Sequence, residues 1–122
     1  MNLGKSQRMP VYNHGCFELY DIVDDPDGDF PEKKIKKRDI GKICFRELAV
    51  FDRTQEIFRQ SGKQVTAKLR IPQWNGISSG CVIVIDGKQH EVFNCTPVIS
   101  KQGYPETEIT CISPEMEYEV VE

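Results

Sequence analysis

Cys81-Val-Ile-Val-Ile-Asp-Gly-Lys-Gln-His-Glu-Val-Phe93 is the stretch whose reading decides the fold. Two β-prone runs meet at Asp86-Gly87. A two-residue type I′ turn needs positive φ at both central positions, which glycine adopts freely and aspartate tolerates. Before the turn, Val82, Ile83, Val84 and Ile85 form an apolar run without alternation, the pattern of a strand buried on both faces. After it, Lys88, Gln89 and His90 lead into Glu91, Val92 and Phe93, a partner that alternates better. The expectation is a central antiparallel hairpin, carried by Ile83, Ile85, Asp86 and Gly87, in a mainly β domain.

Upstream of the hairpin, Val65, Ala67, Leu69 and Ile71 alternate with Thr66, Lys68 and Arg70, which predicts a half-buried strand ended by Pro72. Trp74 to Gly80 is a loop, with Trp74 placed to cover an end of a barrel. Residues 53–61, Arg53-Thr-Gln-Glu-Ile-Phe-Arg-Gln-Ser61, carry few large apolar side chains and stop at Gly62. They read as one short helix, marginal without packing and the segment most open to conformational change. Lys42 to Phe51 reads as a strand with Ile43, Phe45 and Val50 in the core. Cys16 to Val23 is another, apolar on both faces.

Between those two strands lies Asp24-Asp-Pro-Asp-Gly-Asp-Phe-Pro31, a hairpin tip dense in breakers and negative charge. Its return limb, Glu32 to Asp39, is rich in lysine. A solvated edge strand is the favoured reading, since no aromatic platform interleaves the lysines as a phosphate-binding surface would require. Downstream, Asn94 to Pro105 reads as a turn-rich connection, Thr107 to Ile112 as the last strand, and Glu115 to Glu122 as an acidic tail that frays. The organisation expected is an arm over 1–13, a β-barrel over 14–114 and a tail over 115–122. In class terms this is a small antiparallel β-barrel with long hairpin loops and at most one short helix, about 53–61.

A length of 122 residues suits one domain able to bury roughly two-thirds of its unfolded surface. The net charge of −3 speaks against a dedicated nucleic-acid binder, whose affinity rests on clustered Lys and Arg. Met1 to Pro10 has no apolar core of a secretory signal, and no run approaches the about 18 apolar residues of a membrane span, so a cytosolic product is expected. Of the five cysteines, four sit in or beside predicted strands and none forms a Cys-x-x-Cys pair, so they are expected buried and reduced. His14 and Cys16 alone cannot close a zinc site.

Catalytic signatures are missing from the chain. There is no Gly-rich phosphate cradle and no Gly-x-Ser-x-Gly elbow. His90 sits mid-strand between Gln89 and Glu91, so a structural histidine is favoured over a general base. The expectation is a non-enzyme with no catalytic residue, cofactor or metal.

Taken in order, Gly15-Cys-Phe-Glu-Leu-Tyr20, Phe30-Pro-Glu32, Lys42-Ile-Cys-Phe45, Gln55-Glu-Ile-Phe58, Leu69-Arg-Ile-Pro72, Ile85-Asp-Gly-Lys88 and Glu108-Ile-Thr-Cys111 resemble the small head-tail joining proteins of tailed bacteriophages and related prophage elements. These are also called head closure or stopper proteins. The resemblance spans about residues 11–113. It implies a small β-barrel that assembles as a homo-oligomeric ring in the virion neck after synthesis in the host cytoplasm. Such a ring meets the portal or adaptor on the head side and the tail terminator or tail tube on the other. Packaged double-stranded DNA passes through without sequence-specific binding, and no membrane is involved. The resemblance further implies a channel-gating segment holding Asp52, Arg53, Gln55, Glu56, Ile57, Phe58 and Arg59. The acidic tip, with Asp24, Asp25, Asp27, Asp29 and Phe30, is the candidate partner-docking loop. Two other readings stand beside this one. An OB-like or SH3-like nucleic-acid module would bind DNA in a salt-sensitive way, and a small Cys-dependent enzyme would be abolished by thiol alkylation.

Overall fold

The computed structural model describes residues 10–24, 33–48, 64–114 and 116–121. They form eight strands: β1 Gly15–Asp24, β2 Lys33–Lys37, β3 Ile43–Glu47, β4 Val65–Pro72, β5 Cys81–Ile85, β6 Lys88–Ile99, β7 Pro105–Ile112 and β8 Val120–Val121. The sheet runs β3-β4-β7-β6-β5-β1-β2-β8, and β3 also pairs with β1. That extra pairing closes six strands into an antiparallel barrel and leaves β2 and β8 outside it. The domain is therefore the small β-barrel expected. The short helix expected at about 53–61 lies outside the described residues.

Alternation fills the barrel. Ala67, Leu69 and Ile71 of β4 point inward, with Phe17 and Leu19 of β1, Phe45 of β3, Cys81 and Ile83 of β5, Val92 of β6, and Ile109 and Cys111 of β7. Trp74 packs against this core from the loop after β4, where its backbone N–H donates to Thr107 Oγ1 and its C=O accepts from the same hydroxyl.

The run Val82-Ile83-Val84-Ile85 is buried on two sides because it is a wall between two cores. Ile83 faces the barrel, whereas Val82 faces a second cluster with Tyr20 and Ile35, flanked by Ile22, Val84 and Tyr118. β2 and β8 roof this cluster from outside. The Asp86-Gly87 turn joins Ile85 directly to its partner Lys88, with φ of 50° at Asp86 and 77° at Gly87. Both central residues are left-handed, as a type I′ turn requires.

Four expectations are corrected. Asn94 to Ile99 is the second half of β6, not a connection; it pairs with β7 from Asn94↔Thr110 to Ile99↔Pro105. A register shift between Val92 and Asn94 interrupts the period there. Past Glu91, β6 has no described neighbour on its β5 side. Counting back from the bond between Ser100 N–H and Tyr104 C=O, the N–H that Pro97 lacks would have pointed to that open side.

The tail does not fray over its described part, since Val120 and Val121 lie parallel to Ile35 and Lys36. The side-chain amide of Gln89 receives the Tyr118 N–H at 2.8 Å and donates to the Tyr118 C=O at 2.7 Å. For the same reason β2 is not an edge strand, and Lys34 faces Glu119 across the β2–β8 contact. Finally, Cys16 and Cys44 are neither buried nor reduced. They stand opposite each other on β1 and β3, both exposed, and are joined by a disulfide. Cys81 and Cys111 are buried free thiols, as expected, and Cys95 is half-buried.

Candidate functional site

Strands β3, β4 and β7 present alternate residues outward, and the sequence places charge at those positions. Arg46, Lys68, Arg70, Glu106 and Glu108 form one polar sheet face. Glu106 is its centre, with no exposed surface at all. Its carboxylate accepts from the Tyr12 hydroxyl at 2.7 Å, from Arg46 Nη2 at 2.6 Å and Nε at 3.2 Å, and from Arg70 Nη1 at 3.4 Å. Arg70 reaches on to Glu108 through Nη2 at 3.1 Å, and Lys68 stands 3.9 Å from the same carboxylate.

Burial pushes the Glu106 carboxyl up, but the Arg46 and Tyr12 hydrogen bonds outweigh it and hold its pKa below the ordinary carboxylate value. Burial, then the neighbouring Glu106, lifts Tyr12 to about 12. A carboxylate held ionised under several donors is poor general-base material, because its acceptor sites are already occupied. The arrangement instead pins the chain at Tyr12 to the barrel wall. The arm read as ordered only if held is held at this point.

A second cluster lies where β1 meets β5. Arg38 donates to both Asp21 oxygens, through Nε at 3.0 Å and through Nη2, and to the Gly76 C=O. The Arg38 hydrogen bonds lead in holding Asp21 below its usual range, against the opposing effect of burial. Cys81 Sγ lies 3.6 Å from Asp21 Oδ1. Arg38 thereby ties the Trp74–Gly76 loop to the barrel. An open hollow of about 480 Å³ beside it is lined by Gln73, Trp74, Asn75 and Gly76, none of them ionisable. His90 is buried, with Nδ1 2.8 Å from Thr66 Oγ1, and burial followed by Lys88 lowers its pKa. It is a hydrogen-bonded structural histidine. Among the described residues, no group of three or more His, Cys, Asp and Glu is placed to hold a metal ion. None of them forms a helix long and apolar enough to cross a membrane.

Of the residues singled out from sequence, the hairpin set comes together. Ile83 is fully buried, Ile85 packs against the same core, and Asp86 and Gly87 make the turn. Asp24 ends β1, exposed and opposite Lys33. Asp25, Asp27, Asp29 and Phe30, and the gating set Asp52, Arg53, Gln55, Glu56, Ile57, Phe58 and Arg59, lie outside the described residues. The Glu106 network was missed. Its one signal was the outward-phased pair Arg70 and Glu108, hidden because Glu106 sits beside Pro105 in what reads as a loop. No protein-family model matches the sequence, and no curated protein matches it.

Proposed function

We propose that this chain is a structural, non-catalytic subunit of a phage neck ring, closing the DNA channel after packaging and joining the portal or adaptor to the tail. The observation that carries this reading is the order of the resembling segments along a closed barrel. Gly15 to Tyr20 opens β1, Lys42 to Phe45 leads into β3, Leu69 to Pro72 ends β4, Ile85 to Lys88 is the tight hairpin, and Glu108 to Cys111 lies in β7. The proposed gate falls in the connection between β3 and β4, which are neighbours in the barrel. Neighbouring antiparallel strands need only about two to five linking residues. Residues 49–63 exceed that, which supports a task for them beyond turning the chain.

The alternative of a nucleic-acid-binding barrel finds less support on this surface. Arg38, Arg46, Arg70, Lys34, Lys37 and Lys68 each face a carboxylate, and the net charge is −3. Six of the eleven lysines and arginines among the described residues are engaged in this way, which reduces the charge available to release counterions from DNA. The deciding experiment is electron microscopy of particles assembled with the protein and with a deletion of Gln55 to Ser61. A ring of density at the neck, with deletion particles that leak DNA, is the expected result. A protein absent from particles that binds DNA as a salt-sensitive monomer would replace this reading with the alternative. Deletion particles that keep their genomes but refuse tails would make the segment a docking element.

A further inference from the structure

We propose that Cys16 and Cys44 form a thiol–disulfide exchange site whose redox state sets whether the β1–β3 seam of the barrel stays shut. This rests on the fold and is independent of the neck reading.

Three observations lead there. First, among the described residues β3 is the barrel strand with the fewest paired positions: it pairs with β1 through Gly15↔Phe45, Cys16↔Cys44 and Phe17↔Ile43, and with β4 through Arg46↔Arg70 and Glu47↔Leu69. By contrast, β4 pairs with β7 from Val65 to Pro72. The disulfide occupies the middle of the seam, so one covalent bond stands where few hydrogen bonds do. Second, the packing there is close. A Cβ on Gly15 would stand 2.9 Å from Phe45 Cζ, so the Phe45 ring covers the backbone of β1 beside the bond. Third, both half-cystines are exposed, while Cys81 and Cys111 are buried. Burial lifts the Cys95 and Cys111 thiols to about 11 and about 12, so they stay protonated and do not compete as nucleophiles.

The exchange balances with a dithiol as reductant. One thiolate of the dithiol attacks one sulfur of the pair, the other sulfur leaves as a thiolate, and a mixed disulfide forms. The second dithiol sulfur then attacks the mixed disulfide, closing a cyclic disulfide. Cys16 and Cys44 are left as two thiols, reduced by two electrons and two protons. Without the bond, β3 keeps its short ladders plus the bonds from His14 N–H to Phe45 C=O, from Leu48 N–H to Lys68 C=O and from Glu47 N–H to His14 Nδ1.

The test uses the full chain, air-oxidised and then treated with dithiothreitol, with alkylation read by peptide mass spectrometry and amide hydrogen exchange read along the chain. Before reduction Cys16 and Cys44 should resist alkylation; afterwards both should be labelled without denaturant, while Cys81 and Cys111 stay unlabelled. Amides of Ile43 to Glu47 should exchange about ten-fold faster after reduction, with the β5–β6 hairpin unchanged. A Cys16→Ser/Cys44→Ser double variant should show the fast β3 exchange with or without dithiothreitol. Free thiols at both positions in the oxidised protein overturn the proposal. So does unchanged protection of β3 after reduction. Loss of protection throughout the barrel also overturns it, because the bond would then be a staple for the whole fold rather than a latch on one seam.

Discussion

Among the described residues two outer faces of the barrel are covered, and they are sealed by opposite chemistry. Over β1 and β5 the cover is apolar: Tyr20, Ile35 and Val82 bury one another under β2, β8 and Tyr118. Over β3, β4 and β7 the cover is ionic: Arg46 and Arg70 clamp Glu106 beneath Tyr12. Apolar burial is non-directional and tolerates repacking of equal volume. A buried ion network is directional, and it loses heavily when one member goes. The first face is therefore a second core, whereas the second is a lock with a defined register. The Cys16–Cys44 seam is where the two meet, since β1 belongs to one and β3 to the other.

The largest expected effect comes from placing charge in the wall between the two cores. Ile83→Asp should abolish folding, since an unpaired buried charge costs several kcal/mol against a total stability of about 5–15 kcal/mol. Val82→Asp should do the same although it points out of the barrel. If circular dichroism shows Val82→Asp folded and melting normally, the apolar face is not sealed. Next comes Glu106→Ala, which leaves the Arg46 guanidinium and the Tyr12 hydroxyl without their acceptor while Arg70 keeps Glu108, and should cost about 1.5–3 kcal/mol in urea unfolding.

The pH dependence sharpens the contrast. The folded-state pKa of Glu106 is lowered, so its contribution is fully present above the ordinary carboxylate pKa and is lost as pH falls through the folded value. Glu106→Gln should therefore be less stable than the parent at neutral pH and lose less on acidification, while Val82→Ala should leave the shape of the acid limb alone. Gly87→Val, at φ 77°, should cost about 1–3 kcal/mol. A loss below about half a kcal/mol would mean the turn relaxes. The smallest effect is expected from Gln89→Ala, about 1–2 kcal/mol for two hydrogen bonds to Tyr118, with β8 amides losing protection first.

The inner core was legible because alternation maps directly onto facing direction, as in Val65 to Ile71. The double burial of β5 was legible too, though nothing in the run Val82 to Ile85 named its outer partners. Those partners are Ile35, alone among lysines, and Tyr118, in an acidic tail. Neither position carries a pattern of its own. The far half of β6 was misread because Asn94 and Pro97 have poor strand propensity, and the register shift at Phe93 breaks the period; pairing with β7 decides the matter. The disulfide was hidden because pairing depends on register between β1 and β3, which composition does not encode. The ionic face was missed because it depends on three strands and the arm converging on one carboxylate.

The place of β1 has a consequence for how the chain is made. Asp21 meets Cys81 across a separation of 60 residues, so the partner that buries the inner side of β1 is synthesised long after β1 itself. At about 5–20 residues per second, that is a wait of roughly 3–12 s on the ribosome. During it β1 can pair only with β2 and β3, and β4 joins them shortly before β5. The nascent protein thus exposes a strand that is apolar on both faces early and covers it late, which makes the speed of β5 synthesis, rather than final stability, the quantity that guards it from aggregation.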